Sequence, residues 1–146
     1  MRKRVSSAGV LSFVLLIDGL IAIGFGLASW FAPRATFGTI VDLSAVAEGS
    51  LMLALLASLS TTYVVIGLVC SIAAFIPARY RHRFAMLMAA SHLWTGLTGC
   101  RDIGEVWLVG DPWPDLVIHS AFVCAYLVLV FMVWRRTSSI EALPSA

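Results

Sequence analysis

The stretch VLSFVLLIDGLIAIGFGLASWF, residues 10–31, carries a single charged group, Asp18, in an otherwise apolar run. A bilayer hydrocarbon core about 30 Å thick needs about 20 apolar helical residues to cross it, and this run supplies them. Arg2, Lys3 and Arg4 precede it, so the beginning of the chain imitates a secretory signal peptide. The imitation is poor: a signal h-region spans about 7 to 15 residues, Asp18 interrupts this one, and Gly26-Leu27-Ala28 is a weak cleavage site. The reading is a retained first membrane helix that stops at Trp30, Phe31 and Pro33.

Three more apolar stretches follow, over 51–76, 84–104 and 115–134. Residues are 60% hydrophobic and only 12% charged, whereas soluble domains carry about 25% charge, so one soluble core does not account for the chain. The predicted fold is all-α, a single integral-membrane four-helix bundle over residues 1–146. Residues 34–50 are too mixed in polarity for a fifth span and form an external loop, with room for one turn around 40–46. Pro77 stops the second helix, and two prolines with a glycine make 110–114 a turn. Residues 137–146 read as a disordered tail.

Orientation follows from the ten basic residues. Arg2, Lys3, Arg4, Arg79, Arg81, Arg83, Arg135 and Arg136 fall on one side, Arg34 and Arg101 on the other. The larger set belongs in the cytoplasm, which puts both termini there and the protein in a bacterial inner membrane. The basic residues serve orientation, and no nucleic-acid site is read from them. Cys70, Cys100 and Cys124 form no C-x-x-C pair, which removes a thioredoxin-like centre and a zinc knuckle. Phosphate loops, nucleophile elbows and metalloprotease motifs are absent as well, so no cofactor is expected and an enzyme is disfavoured. Ala22 with Gly26, Gly24 with Ala28, Ala85 with Ala89, and Gly96 with Cys100 are small-xxx-small pairs that suit contacts within the bundle or a homo-oligomer.

An ionisable group at membrane depth costs about 2.5 to 3.5 kcal/mol on insertion scales and calls for a partner. Asp18 and His92 lie at matching depths, about 12 Å above the cytoplasmic ends of their apolar runs at 1.5 Å per residue. A hydrogen-bonded pair is therefore expected, either as a proton-responsive or ligand-orienting site or as a plain structural clamp; a protonated Asp18 bonded to Ser12 or Thr62 is the other option. His119, counted the same way, lies at a different depth from His92, so two imidazoles facing one haem iron are not expected. At the external rim, Trp94, Arg101 and Glu105 fall on nearly one stripe if the third helix continues. They suit a small cationic or aromatic ligand or an ordinary interface, and Glu48 is placed to pair with Arg101.

Gly24-Phe25-Gly26-Leu27-Ala28-Ser29-Trp30-Phe31-Ala32-Pro33 resembles the helix ending of several small bacterial four-span families. His92-Leu93-Trp94, Ile103-Gly104-Glu105-Val106-Trp107 and Gly110-Asp111-Pro112-Trp113 resemble the BphX-like family, named from biphenyl-degradation operons. That resemblance implies a four-helix membrane fold and an association with aromatic-compound metabolism; the family has no established activity to transfer. The leading expectation is a protein that binds or admits a small apolar or aromatic molecule in the lipid bilayer. A homodimeric proton-coupled exporter using Asp18 and a membrane subunit of an oxidoreductase are the alternatives.

Overall fold

The computed structural model describes the backbone of residues 7–38, 42–102 and 113–141, and side chains over 7–38, 42–98 and 116–135. Every regular element in that part of the chain is helical: α1 Ser7–Phe31, α2 Pro33–Phe37, α3 Leu51–Ala73, α4 Ala78–Asp102 and α5 Trp113–Glu141. Three helices are long and apolar enough to cross a membrane: α1, α3, and Leu116–Arg135 within α5. Helix α4 is equally long but opens on Arg79, Arg81 and Arg83 and holds His92, which dilutes its hydropathy. Large apolar side chains such as Phe13, Leu20, Leu59, Val65, Leu87 and Phe131 face outward. Those lengths and that surface are the marks of a membrane protein, with lipid as the solvent of the outer face.

Helices outrun their apolar stretches. Helix α4 begins at Ala78, directly after Pro77, because Arg79 to Arg83 contain no breaker and good helix formers continue into the polar region. Helix α5 likewise runs past Trp134 to Glu141, so residues 137–141 are helical where a disordered tail was expected. Helix α3 ends at Ala73, short of Ile76, and the chain turns at once into α4. The segment after Pro33 opens with the short helix α2, where proline at the first position lacks only a hydrogen that has no intrahelical acceptor.

Helix α1 packs most extensively on α3, and α4 on α5; α1 also touches α5 and α4, which joins the two pairs. Gly19 lies on Gly67 and Gly26 on Ser60, so the α1–α3 pair is antiparallel with close contacts one heptad apart. A heptad repeat of small residues keeps two helices in knob-and-hole register with their backbones near each other. The main core gathers Leu11 and Leu15 of α1, Cys70 and Ala73 of α3, Ala85, Met88 and Ala89 of α4, and Tyr126 and Leu129 of α5.

Each end of the assembly is tied by an arginine. Arg81 donates to the carbonyls of Ala8 (2.9 Å) and Ile76 (2.6 Å), joining the start of α1 to the end of α3. At the opposite end Arg34 donates to Glu48 Oε1 (2.6 Å), to the Leu43 carbonyl (2.6 Å) and to the Val46 carbonyl. Glu48 thus pairs with Arg34, which sits at the base of the same loop, and the expected pairing with Arg101 falls on a side chain outside the described residues. Gly49, with φ of 71°, makes the left-handed bend into Ser50, whose hydroxyl caps α3 by accepting from the Leu53 amide. Nearby, two hydrogen bonds from Ser44 hold the exposed Asp42 carboxyl below the usual carboxylate range.

The loop contacts separate by strength. The Arg34–Glu48 ion pair is solvent-exposed and contributes under about 1 kcal/mol, whereas the bonds to two loop carbonyls order the segment. Arg34→Ala is expected to cost about 1 to 2 kcal/mol and to open the loop to protease, and Glu48→Ala less than half as much; limited proteolysis with thermal unfolding measures both.

Candidate functional site

The polar centre is built from one residue or more on each long helix. On α1, Leu11, Leu15 and Asp18 fall on one stripe, so the face that buries two leucines also carries the carboxylate inward; Asp18 is 4% exposed. On α5, His119, Phe122 and Tyr126 fall on one stripe at the i, i+3, i+7 spacing of a buried face. On α4, Ala85, Met88 and Ala89 lead up to His92 on the same face, and Cys70 of α3 closes the floor.

Five polar groups converge. His92 Nε2 lies 3.0 Å from Asp18 Oδ2, and the Tyr126 hydroxyl donates to the same oxygen at 2.5 Å. The Cys70 thiol donates to the Leu15 carbonyl at 3.3 Å and lies 3.8 Å from Asp18 Oδ2. His92 Nδ1 meets His119 Nδ1 at 2.7 Å. Phe122 stacks on the His92 ring, with centroids 4.8 Å apart and planes 10° from parallel, which fixes the imidazole between Asp18 and His119. Donors thus crowd one carboxylate oxygen and hold the Asp18 side chain rigidly.

The structure therefore pairs Asp18 with His92. It pairs neither Ser12 nor Thr62 with Asp18: Ser12 donates to the Ala8 carbonyl, and Thr62 faces outward. His119 corrects the sequence reading. Its depth was counted from the apolar runs, but α4 starts at Ala78, so His92 stands higher on its helix and reaches the level of His119 across the antiparallel α4–α5 pair. Trp94 is 71% exposed on the outer face and takes no part in the cluster. The side chain of Arg101, and Glu105 altogether, lie outside the described residues, so the external rim is not placed.

Tyr126 and Cys70 were not singled out by sequence. Tyrosine in an apolar helix reads as a core aromatic or a boundary anchor, and the usable signal was its position one heptad after His119. Cys70, read as a small hydrophobe, is buried as one, and its thiol turns toward Leu15 and Asp18.

No family model, curated protein or solved structure matches the chain. The functional reading therefore rests on the site's own geometry. Beside the cluster, a groove of about 250 Å³ runs between α4 and α5, lined by His92, Gly96, Leu97, Leu116, Ser120 and Cys124 among others. Its wall is apolar apart from His92 and Ser120, and at Gly96 the two helices run close, a Cβ there lying 3.8 Å from the side chains of His119 and Leu116. A second furrow between α1 and α5, lined by Phe13, Ile17, Ala121 and Phe122, is wholly apolar. Among the described residues no group of three or more His, Cys, Asp or Glu side chains is arranged to hold a metal ion.

Proposed function

We propose that the chain spans a bacterial inner membrane with its four long helices, both termini cytoplasmic, and binds a small apolar or aromatic molecule in the α4–α5 groove. The observation that carries this reading is the groove's construction: apolar walls within a membrane protein, with one imidazole on the lining that is held in place from behind by Asp18. Small-molecule sites are mostly apolar with a few fixed polar groups, and this groove has that composition at a volume just below the usual range, which suits a small ligand. Both ring nitrogens of His92 are engaged, by Asp18 and His119, so His92 would meet the ligand through the carbon edge of its ring, and the Ser120 hydroxyl on the same wall would meet a polar group of the ligand. Arg81, which joins the starts of α1 and α4 at the end of α3, supports gathering the basic clusters at one cytoplasmic face. The resemblance to the BphX-like family, with its link to aromatic-compound metabolism, fits the same ligand class.

Naphthalene, biphenyl and a simple quinone, titrated into the purified chain, test the reading by thermal unfolding. A ligand at a hundredfold excess over its Kd adds about 2.7 kcal/mol to the folded state. Leu97→Trp, which fills the groove, is expected to abolish that stabilisation, and Trp94→Ala, on the outer face, to leave it intact. No stabilisation by any of the three probes would sink the proposal.

A second reading draws on the burial of Asp18 rather than on the groove. A carboxylate at membrane depth suits a proton-coupled exporter, working as a homodimer. Asp18→Asn then removes pH-dependent uptake into vesicles from a protein that still folds, and unchanged uptake discards the idea.

A further inference from the structure

We infer that the exposed face of α4 binds one anionic phospholipid, its phosphate held by Arg79 and Arg83 and its acyl chains laid along Met86, Leu87, Ala90 and Trp94. The inference depends on neither the ligand of the α4–α5 groove nor the direction of insertion, so it fails separately from both.

The arrangement of charge leads to it. Helix α4 starts at Ala78, carries Arg79, Arg81 and Arg83 in its first two turns and has no acidic residue in its first turn. The unbonded amides of a helix start already amount to about half a positive charge, so cations are disfavoured there and anions favoured. Arg81 is answered within the protein, by the carbonyls of Ala8 and Ile76. Arg79 and Arg83 are both exposed, and among the described residues neither forms an ion pair or a hydrogen bond through its side chain. The Arg79 guanidinium lies 4.8 Å over the Tyr80 ring, a contact that steadies the side chain and leaves its N–H donors for an anion. Residues four apart on a helix lie side by side, a spacing at which two guanidinium forks can close on one phosphate.

The same face supplies a seat for lipid tails. One turn on from Arg83 come Met86 and Leu87, then Ala90 and Trp94, all exposed and at the spacings of a single helical stripe. Arg83 to Trp94 spans about 16 Å of helix at 1.5 Å per residue, half of a hydrocarbon core about 30 Å thick. A cationic pair at the head of an apolar stripe one leaflet deep matches an amphiphile with an anionic head. An acidic protein segment would meet the arginines and leave the stripe unused. A second copy inserted the same way fits no better: its described carboxylate side chains are Asp18, which is buried, and Asp42 and Glu48, which lie at the opposite end.

Quenching by brominated lipid tests the site. Leu87→Trp puts a reporter on the stripe one turn from Arg83, and the fluorescence it adds to that of the full-length chain is read in vesicles of phosphatidylcholine and phosphatidylglycerol, with bromine on the acyl chains of one or the other. Each arginine near the membrane surface favours anionic lipid about fivefold. At the reporter, phosphatidylglycerol is therefore expected to be preferred at least about threefold, and the preference to fall by more than half when Arg79→Gln and Arg83→Gln are combined. Each single variant is expected to fall in between, and the singles decide if the double variant does not fold. Excess soluble glycerol phosphate at constant ionic strength is expected to leave the preference in place, because it has no chains for the stripe to hold. A weaker preference in the parent, one that survives loss of both arginines, or one that glycerol phosphate abolishes would each overturn the lipid site.

Discussion

Gly19→Ala is expected to destabilise the protein by about 1 to 3 kcal/mol, and Gly19→Leu to prevent the native α1–α3 pairing altogether. A methyl group at Gly19 would lie 2.6 Å from the Gly67 carbonyl oxygen and 2.8 Å from the Ser71 amide nitrogen, and both are backbone atoms that cannot swing away. The helices must separate instead, and α1–α3 is the most extensive contact in the molecule. In a bilayer that separation is not resisted by a hydrophobic force, because lipid tails replace the lost contacts with equally apolar ones. Close packing is what holds the pair, so losing it is felt directly. Gly24→Ala is the internal control: nothing lies within 4 Å of a methyl there, and the gain in helix propensity, up to about 1 kcal/mol, leaves stability unchanged or raised. Thermal unfolding of both variants in one detergent measures the difference. Equal behaviour of Gly19→Ala and Gly24→Ala would show that the close approach does not hold the pair.

That contrast also marks what the sequence could convey. Apolar runs over 10–31, 51–76 and 115–134 announce helices because only a helix satisfies its own backbone in lipid. Hydropathy measures the part of a helix that lipid can cover, however, and not the helix, which is why α4 reaches back to Ala78 and α5 on to Glu141. Counting depth from the apolar runs therefore brought His92 level with Asp18 and missed His119. Small-xxx-small pairs at i, i+4 drew attention to Gly26, Ala85 and Ala89, which are packed, but equally to Gly24 and Ala28, whose outward side is open, and they missed Gly19, which the α1–α3 contact uses one heptad before Gly26. Which face of a helix is buried depends on its partner, and one helix's sequence does not contain that information. Tyr126 shows the same limit: its ring fits any apolar helix, and only the position of Asp18 on another helix gives its hydroxyl a use.

Asp18→Ala is expected to cost about 3 to 5 kcal/mol, the largest effect of any single truncation in the cluster. Little of that is lost attraction. The carboxylate is the shared acceptor of the Tyr126 hydroxyl and the His92 ring, and Tyr126 is fully buried, so removing the acceptor strands donors that neither water nor lipid can satisfy. Tyr126→Phe alone should cost about 1 to 2 kcal/mol, since the carboxylate keeps His92 and loses one donor. The combination gives a sign that a simple sum of contacts does not: Asp18→Ala with Tyr126→Phe should be more stable than Asp18→Ala by about 1 kcal/mol or more, because the second substitution removes the very hydroxyl the first one stranded. A double variant less stable than Asp18→Ala by the full cost of Tyr126→Phe would mean that the two groups do not interact in the folded protein. Unfolding of all four proteins at one pH and in one detergent completes the cycle, and the sign of its coupling energy tells whether the core of this bundle is organised around Asp18.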